Sequence, residues 1–363
     1  MKIRITQISI IIILLSSFLQ AQIGVKLSVD QEYHSNPVGY IDPVSSLVTN
    51  IFSGVSYGDS LLNLGYYGNY NYLNSISERS SFQHQFGYWD FSENSMWGGY
   101  IEQRINKDDY KYLDYSDIIT FYRYKFDLSG ISTLLSFNYN ITDFKEYKSL
   151  NHNLFSGGFR LSKSYNTKTT IFLGTEINYK RYSENISITD SLGTHENNND
   201  IFQLNTSLRI AQSVSESVGL ALVGSKRIVL NDVKPLDDVI KFAIGDDAEI
   251  FDSPTSYNLN SIGIELTKVL ENNIKLKSGY YYNHKDYKTQ GTYINEEEFS
   301  IEKLRTDFSN MFYFQISKTV ESGFLFFNEF DISFNYQYIN NNSNSYWFNY
   351  SNSATSVSLN FNL

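Results

Sequence analysis

Apolar and polar residues alternate one by one in the stretch from 324 to 338. A period of two places the two sets on opposite faces of a β-strand. One parity is apolar and the other polar: Phe324, Phe326, Phe330, Ile332, Phe334, Tyr336 and Tyr338 against Glu329, Asp331, Ser333, Asn335 and Gln337. The stretch 351–363 resumes the pattern after a polar run. The sequence therefore predicts two antiparallel strands joined by a turn.

The same alternation recurs along the rest of the chain, in segments of about ten residues that are typical of transmembrane barrels. Sixteen strands are predicted, and fourteen or eighteen remain as alternatives. The predicted ranges are 23–33, 47–57, 61–72, 80–91, 95–106, 116–126, 131–142, 151–162, 169–182, 201–212, 218–228, 255–270, 274–288, 301–318, 324–338 and 351–363.

Charged residues share one parity within the clearest of these segments. In 169–182, Ile171 and Ile177 alternate with Glu176 and Lys180. A charge that faces lipid at mid-membrane costs about 2 to 4 kcal/mol, whereas a charge that faces a water-filled interior stays hydrated. Backbone groups inside hydrocarbon must also be paired, which only a closed sheet allows. The predicted fold class is therefore an all-β, closed antiparallel transmembrane barrel.

The connections between the predicted strands alternate in length. The even-numbered connections are short, and the odd-numbered ones, such as 183–200 and 229–254, are longer without overlap between the two groups. Outer-membrane barrels have short periplasmic turns and longer outer loops. We therefore expect both termini on the periplasmic side.

Composition and the N-terminus add a location to this fold. Tyr and Phe together with Trp make up 16% of the residues, which suits aromatic girdles at membrane interfaces. Residues 1–22 resemble a secretory signal peptide, with Lys2 and Arg4 before the apolar run Ile8 to Leu15 and with Ala21 at the predicted cleavage site. The run is too short to span a bilayer. We predict a cleaved signal peptide followed by one barrel domain, 23–363, in the outer membrane.

Charge and cysteine content exclude several classes of protein. The net charge is −10 and there is no Cys, so nucleic acid is not an expected partner and neither a disulfide framework nor a cysteine metal site exists. No cofactor is predicted.

The ending SFNYQYINNNSNSYWFNY from Ser333, followed by SVSLNFNL from Ser356, resembles the last hairpin of Gram-negative outer-membrane barrels. It is most similar to porin-type barrel families and to the barrel half of surface lipoprotein assembly modifiers. The early VDQEYHSNP from Val29 is similar to their first strand and loop. The resemblance implies insertion into the lipid bilayer by the barrel assembly machinery. The chain departs from it at Leu363, where an aromatic residue is usual, and lacks the helical repeats of the modifiers, so no client-handling role is predicted.

The channel wall of such a barrel is the predicted functional surface, because a barrel of this size leaves an aqueous channel. Strand parity places both signs of charge on the inner face, where they either tune ion passage or only hydrate the wall and pair with each other. The candidate lumen charges are Lys26, Arg104, Arg123, Lys125, Glu176, Lys180, Arg209, Glu265, Lys275, Lys277, Glu329 and Asp331, with Asp30, Glu102 and Arg227 on the same face.

The longest connection, 229–254, is acidic but also contains apolar residues that could form a short helix inside the channel. Its candidate constriction residues are Asp237, Asp238, Asp246, Asp247 and Glu249. The alternatives are a solvated outer loop and a Ca²⁺ site, although the ordered spacing of an EF-hand is absent.

Two histidines lie near acidic or hydroxyl residues at strand ends, which is one arrangement that hydrolytic barrels use. These are His284 with Asp286, and His34 with Ser35. Neither pair has a matched nucleophile, so the sequence predicts no enzyme.

The sequence thus favours a porin-like passive channel for small solutes or ions. Two alternatives stay open: a non-conducting outer-membrane barrel that acts in secretion, envelope assembly or surface interaction, and an exported soluble β-sandwich or solenoid.

Overall fold

Sixteen strands pair edge to edge in a closed antiparallel barrel, as the alternation predicts. This computed structural model describes residues 22–37, 39, 41–58, 63–146, 148–183, 186–190, 193–197, 200–232, 257–321 and 329–362. The predicted signal peptide, apart from Gln22, and the five candidate constriction residues lie outside the described residues. The helices in these ranges are short 3-10 turns, and none of them is long and apolar enough to cross a membrane.

The barrel strands match all sixteen predicted segments, with ends that shift by a few residues in most cases. They are β1 (Gln22–His34), β2 (Ser46–Gly58), β3 (Asn63–Leu73), β4 (Ser81–Phe91), β5 (Ser95–Asn106), β6 (Tyr115–Leu128), β7 (Ile131–Phe144), β8 (His152–Ser164), β9 (Thr169–Tyr182), β12 (Ile201–Ser213), β13 (Val218–Val229), β14 (Tyr257–Val269), β15 (Ile274–Tyr293), β16 (Phe299–Glu321), β17 (Glu329–Ser343) and β18 (Tyr350–Asn362).

A small hairpin outside the barrel was not predicted. β10 (Ile186–Asp190) and β11 (Gly193–Asn197) pair only with each other, inside the connection between β9 and β12. The sequence predicts only a connection in this Asn-rich stretch, because two segments of five residues are too short to give a strand pattern.

The barrel closes where β1 pairs with β18, with Lys26 opposite Asn362. Gln22 lies opposite Gly58, which precedes the connection 59–62, and Asn362 also lies opposite Glu329, which follows the connection 322–328. Both ends of the described chain therefore lie at the end of the barrel that carries the short connections. We call this the short-turn end and the opposite one the long-loop end.

The short turns have the backbone geometry that tight hairpins need. Ser129 and Gly130, which join β6 to β7, both have positive φ, 54° and 79°. Two consecutive positive φ values characterise the type I′ turn, whose twist matches that of the flanking strands. The carboxylate of Asp127 accepts the Gly130 N–H at 2.8 Å and stabilises this turn.

The predicted separation of connection lengths is wrong at two hairpins. Between β17 and β18 only 344–349 remain, which is shorter than 322–328 at the other end. β15 and β16 extend further than predicted and leave only 294–298 between them, so this connection is shorter than 322–328 at the other end. The extension passes the last residues of β14 and β17 that pair with it, Tyr257 and Ser343. The pairing shifts register around Gly291, where a Cβ atom would lie 2.5 Å from the Ser300 carbonyl. Glycine therefore permits a bulge that bends the hairpin.

A buried arginine anchors this extension. Arg305 is 3% exposed, its Nε donates to Asp307 Oδ1 at 2.9 Å, and a second nitrogen bonds the other carboxylate oxygen. Its Nη1 donates to Gln290 Oε1 at 2.8 Å. The guanidinium lies between two rings, 4.3 Å from the centroid of Tyr287 and 3.5 Å from that of Phe348. The cluster therefore ties β15 and β16 to the last connection of the chain.

Dry packing is concentrated at the long-loop end. The buried apolar residues lie at strand ends or in connections on this side, with Ala221 as the exception: Val48, Leu73, Leu113, Phe144, Leu150, Ile201, Tyr257, Tyr287, Tyr293 and Phe348. In mid-barrel, large apolar side chains such as Ile101, Leu222 and Ile264 are more than half exposed, at 58%, 51% and 53%. A sandwich or solenoid would bury these residues, so the soluble alternative is wrong.

Candidate functional site

The inner wall of the barrel carries the polar half of the alternation. Glu265 and Ala221 face inward, and their chain neighbours Ile264 and Leu222 face outward with large exposed apolar surfaces. Outward charges lie near strand ends, as at Lys163, Arg181 and Lys268. This division suits a wall with lipid outside and water inside.

The candidate lumen charges occupy inward positions of the register, distributed around the whole barrel. Lys26 and Asp30 lie on β1, Arg104 on β5, Arg123 and Lys125 on β6, Glu176 and Lys180 on β9, Arg209 on β12, Glu265 on β14, Lys275 and Lys277 on β15, and Glu329 and Asp331 on β17. The structure joins some of them into clusters and leaves others apart.

Arg209 and Glu265 form an ion pair across an intervening strand. Their strands, β12 and β14, both pair with β13, on which the small Ala221 lies opposite Glu265. The second carboxylate oxygen of Glu265 accepts a hydrogen bond from the Tyr281 hydroxyl. Sequence parity placed Arg209 and Glu265 on one face but did not pair them. This carboxylate is neutralised and held rigidly.

Glycines allow aromatic rings to lie flat against this part of the wall. A Cβ atom on Gly263 would come within 2.3 Å of the Tyr281 ring, and one on Gly279 within 2.3 Å of the Tyr313 ring. Each glycine lies directly opposite the tyrosine that covers it. The two rings stack with centroids 6.3 Å apart. Covering glycine with a cross-strand aromatic ring is a known way to stabilise a barrel sheet.

A second hydrogen-bonded cluster lies across β4, β5 and β6. Gln83 donates to Glu102 Oε1 at 2.6 Å, and the Tyr115 hydroxyl donates to the same oxygen at 3.1 Å. Arg104 Nε donates to Asn106 Oδ1 at 3.1 Å. Neutral donors therefore surround the Glu102 carboxylate, and the cluster fixes the wall near the long-loop end.

A recess of about 500 Å³ lies in the described inner wall between β6 and β14. Three inward arginines line it, Arg123, Arg160 and Arg227, together with the single carboxylate of Glu176 and the side chain of Asn205. We call it the arginine recess. Arg123 and Arg160 are exposed to the lumen. The other inward lining residues are Leu134, Ser136, Asn138, Gly174, Ser207, Ser225 and Leu259.

Amide side chains hold the charged groups of the recess in place. Asn178 donates to Glu176 Oε1 at 3.0 Å and Asn205 donates to the same oxygen at 3.4 Å. Arg227 Nε donates to Asn205 Oδ1 at 3.2 Å, and its guanidinium lies 5.0 Å from the Tyr257 ring centroid. Glu176 and Arg227 are therefore linked through Asn205 and make no direct ion pair with each other.

Two inward positions were not predicted from the sequence. Arg160 has inward parity on β8, where Phe155 and Phe159 are exposed on the outer face, so the same alternation could have found it. Arg305 also has inward parity, but its role depends on the extension of β15 and β16 and on Phe348. No local pattern indicates that contact.

The two histidine pairs do not form a catalytic arrangement. His284 contacts Asp286 at 3.2 Å, and its ring stacks on Phe308 with centroids 4.4 Å apart on the outer face. His34 pairs with Glu32 at 2.8 Å, whereas the Ser35 hydroxyl accepts a hydrogen bond from Ser353. Within the described ranges, no group of three or more His, Asp or Glu residues could hold a metal ion.

Comparisons with known proteins agree on the fold. No protein-family model matches the chain, and no curated protein sequence matches it. Among solved structures, a bacterial polysaccharide outer membrane secretin is similar, with a TM-score of 0.53 and 8% identity over 93% of this chain and 98% of that one.

Two further structures support the same conclusion. The outer membrane protein OpdK from Pseudomonas aeruginosa has a TM-score of 0.53 and 10% identity over 94% of this chain and 98% of its own. OccAB1 from Acinetobacter baumannii has a TM-score of 0.50 and 10% identity over 95% of this chain and 97% of its own. The chain therefore has the closed antiparallel barrel fold of porin-type outer-membrane proteins.

Proposed function

We propose that the protein is a porin-like passive channel for small solutes or ions in the outer membrane. The observation that carries this proposal is a closed barrel of sixteen strands whose inner wall is polar, charged and open at the arginine recess. Barrels of sixteen to eighteen strands enclose an aqueous channel, whereas smaller ones fill with side chains. Passive movement of a solute through a lumen with such a wall needs neither a cofactor nor a catalytic residue.

The same proposal includes an orientation and a route of biogenesis. The short-turn end, where both ends of the described chain lie, faces the periplasm, and the long-loop end faces the outside. Residues 1–22 direct export, and the barrel assembly machinery inserts the folded wall into the bilayer. The apolar outer face and the position of the chain ends support this arrangement.

Purified, folded protein is expected to produce stepwise currents when it is added to a planar lipid bilayer. Detergent buffer and heat-unfolded protein serve as controls and should produce none. Insertion is checked independently by flotation of protein-containing vesicles. Protein that floats with vesicles, retains its β-sheet circular dichroism and yet carries no current would contradict the channel and favour a non-conducting interaction barrel.

Replacement of Glu265 by Gln is expected to make the channel more selective for anions. The change leaves Arg209 without its carboxylate partner and adds one net positive charge to the wall. A unit charge a few ångströms from a passing ion is worth about 1 kcal/mol or less in water, so the Cl⁻ to K⁺ permeability ratio should rise about two- to five-fold. Reversal potentials in a KCl gradient measure this ratio.

The matched control is Glu297→Gln, which removes an exposed carboxylate in the connection 294–298 at the tip of the extension. It should leave the permeability ratio unchanged. Equal shifts in both variants would show that the overall charge of the protein, and not the charge of the inner wall, sets selectivity.

A further inference from the structure

We propose that the arginine recess is a binding site for small solutes that carry two negative oxyanion charges. This inference rests on the proposed channel function and names the class of solute that the channel takes. The recess holds three guanidinium groups against one carboxylate, in about 500 Å³. That volume lies within the range of small-molecule sites. Guanidinium groups bind carboxylate and phosphate oxygens through paired hydrogen bonds.

The arginines of the recess differ from two other inward arginines of this barrel, which form ion pairs. Arg209 bonds Glu265 and Arg305 bonds Asp307, so each of these structural arginines has a carboxylate from the protein. In the part of the chain that the structure describes, Arg123, Arg160 and Arg227 have no such ion pair. Three unneutralised arginines in one concavity create a positive potential that an anionic solute would balance.

Glu176, the one carboxylate among the described residues that line the recess, does not neutralise the arginines. Glu176 accepts hydrogen bonds from the amides of Asn178 and Asn205, at 3.0 and 3.4 Å. Its contacts therefore hold it against the wall. Lys226 also borders the recess, but it has outward parity on β13. Among the described inward side chains, one carboxylate against three guanidinium groups leaves two positive charges in excess, which a doubly charged solute matches better than a singly charged one.

Arg227 has a fixed position but an incomplete set of partners. The Asn205 amide oxygen and the face of Tyr257 orient its guanidinium. Its Nη1 atom is buried and has no hydrogen-bond partner among the described atoms. Buried polar atoms are normally satisfied, so this donor indicates that the site is completed by a group from outside the chain.

Arg123 and Arg160 supply the accessible side of the site. Both are exposed to the lumen, and neither forms an ion pair within the described ranges. The Arg123 guanidinium lies 5.4 Å from the centroid of Phe121, which limits its movement along the wall. These two side chains are therefore accessible to a solute in the lumen, whereas Arg227 lies nearer the long-loop end of its strand.

Binding is measured on the folded protein in detergent by isothermal titration with inorganic phosphate, succinate, acetate and glucose. Phosphate, succinate or both should bind, acetate should bind at least about ten-fold more weakly, and glucose should not bind. Hydrogen bonds to charged groups are stronger than those between neutral groups, so Arg123→Gln with Arg160→Gln should weaken binding more than ten-fold.

The matched control is Lys275→Gln with Lys277→Gln, which removes two inward cations of β15 that do not line the recess. It should retain affinity within about two-fold, because the distant charges are screened by salt. Circular dichroism verifies that both double variants are folded. Equal losses in the two variants would show that general wall charge, and not this recess, attracts the solute.

The outcomes separate the solute site from the channel. Binding of phosphate alone assigns the site to phosphate compounds, binding of succinate alone assigns it to dicarboxylates, and binding of both supports the shared dianion chemistry. No binding by a conducting native protein overturns the recess but leaves the channel intact. Binding by a folded protein that carries no current supports the recess and overturns the channel. Equal affinity for acetate and succinate overturns the doubly charged solute class.

Discussion

Replacement of Arg305 by Met is expected to destabilise the extension of β15 and β16 by about 3 to 5 kcal/mol, the typical cost of breaking a buried ion pair. Asp307 is 2% exposed and would keep its charge without a cationic partner, with the Tyr287 hydroxyl at 3.5 Å as its remaining donor among the described residues. Gln290 Oε1 would also lose the hydrogen bond that it accepts from Arg305 Nη1 at 2.8 Å. Hydrogen exchange across β15 and β16 and limited proteolysis within 294–298 measure the local opening.

The control for this prediction removes both charges. Arg305→Met combined with Asp307→Asn leaves no uncompensated charge, so it should be less destabilising than Arg305→Met alone. If the extension opens to the same degree in the two variants, the packing of the guanidinium between Tyr287 and Phe348, and not the ion pair, stabilises the extension.

Replacement of Val29 by Arg is expected to lower the free energy of unfolding by about 2 to 4 kcal/mol in lipid vesicles, or to prevent insertion. Val29 lies at the middle of β1, faces outward and is 37% exposed. It lies opposite Ile51 and Leu359, which are also on the outer face. A guanidinium at this position would face hydrocarbon. Urea titration of vesicle-inserted protein measures the change.

The preceding residue provides the matched control. Ser28 lies at the same depth but faces the lumen, where its hydroxyl donates to Asp30 Oδ2 at 3.4 Å. An arginine there would meet water and a carboxylate, so Ser28→Arg should insert and lose less than about 1 kcal/mol. Equal destabilisation by the two substitutions would contradict the assignment of inner and outer faces.

The fold could be predicted from the sequence because its signal is local and repeated. Ile171 and Leu204 face outward without being buried, as their parity predicted, and Leu62 lies outside the described residues. The prediction was wrong at β15 and β16, where a bulge at Gly291 interrupts the period and the strands continue beyond it. It also missed β10 and β11, since each is only five residues long and the alternation of Ile186 and Ile188 with polar residues is too short to stand out from a loop.

For the candidate site, the sequence predicted only which residues lie on the inner face of the barrel. Parity put Arg123, Arg209 and Glu265 on the inner wall, but it did not distinguish an arginine that is paired from one that is not. Arg209 is neutralised by Glu265, whereas Arg123 lies in the recess without a carboxylate partner among the described residues. That difference depends on the neighbours that the register brings together.

By itself, the amino-acid sequence determined a two-faced wall of about sixteen strands, because a period of two and the cost of a charge in lipid act on each segment separately. The structure settled their number at sixteen. Only the tertiary structure decided which inward charges meet. Arg209 reaches Glu265 across β13 because the small Ala221 lies between them, and Arg305 is buried because Tyr287 and Phe348 converge on it. Such contacts join residues far apart in the chain, and their geometry arises only when the barrel closes.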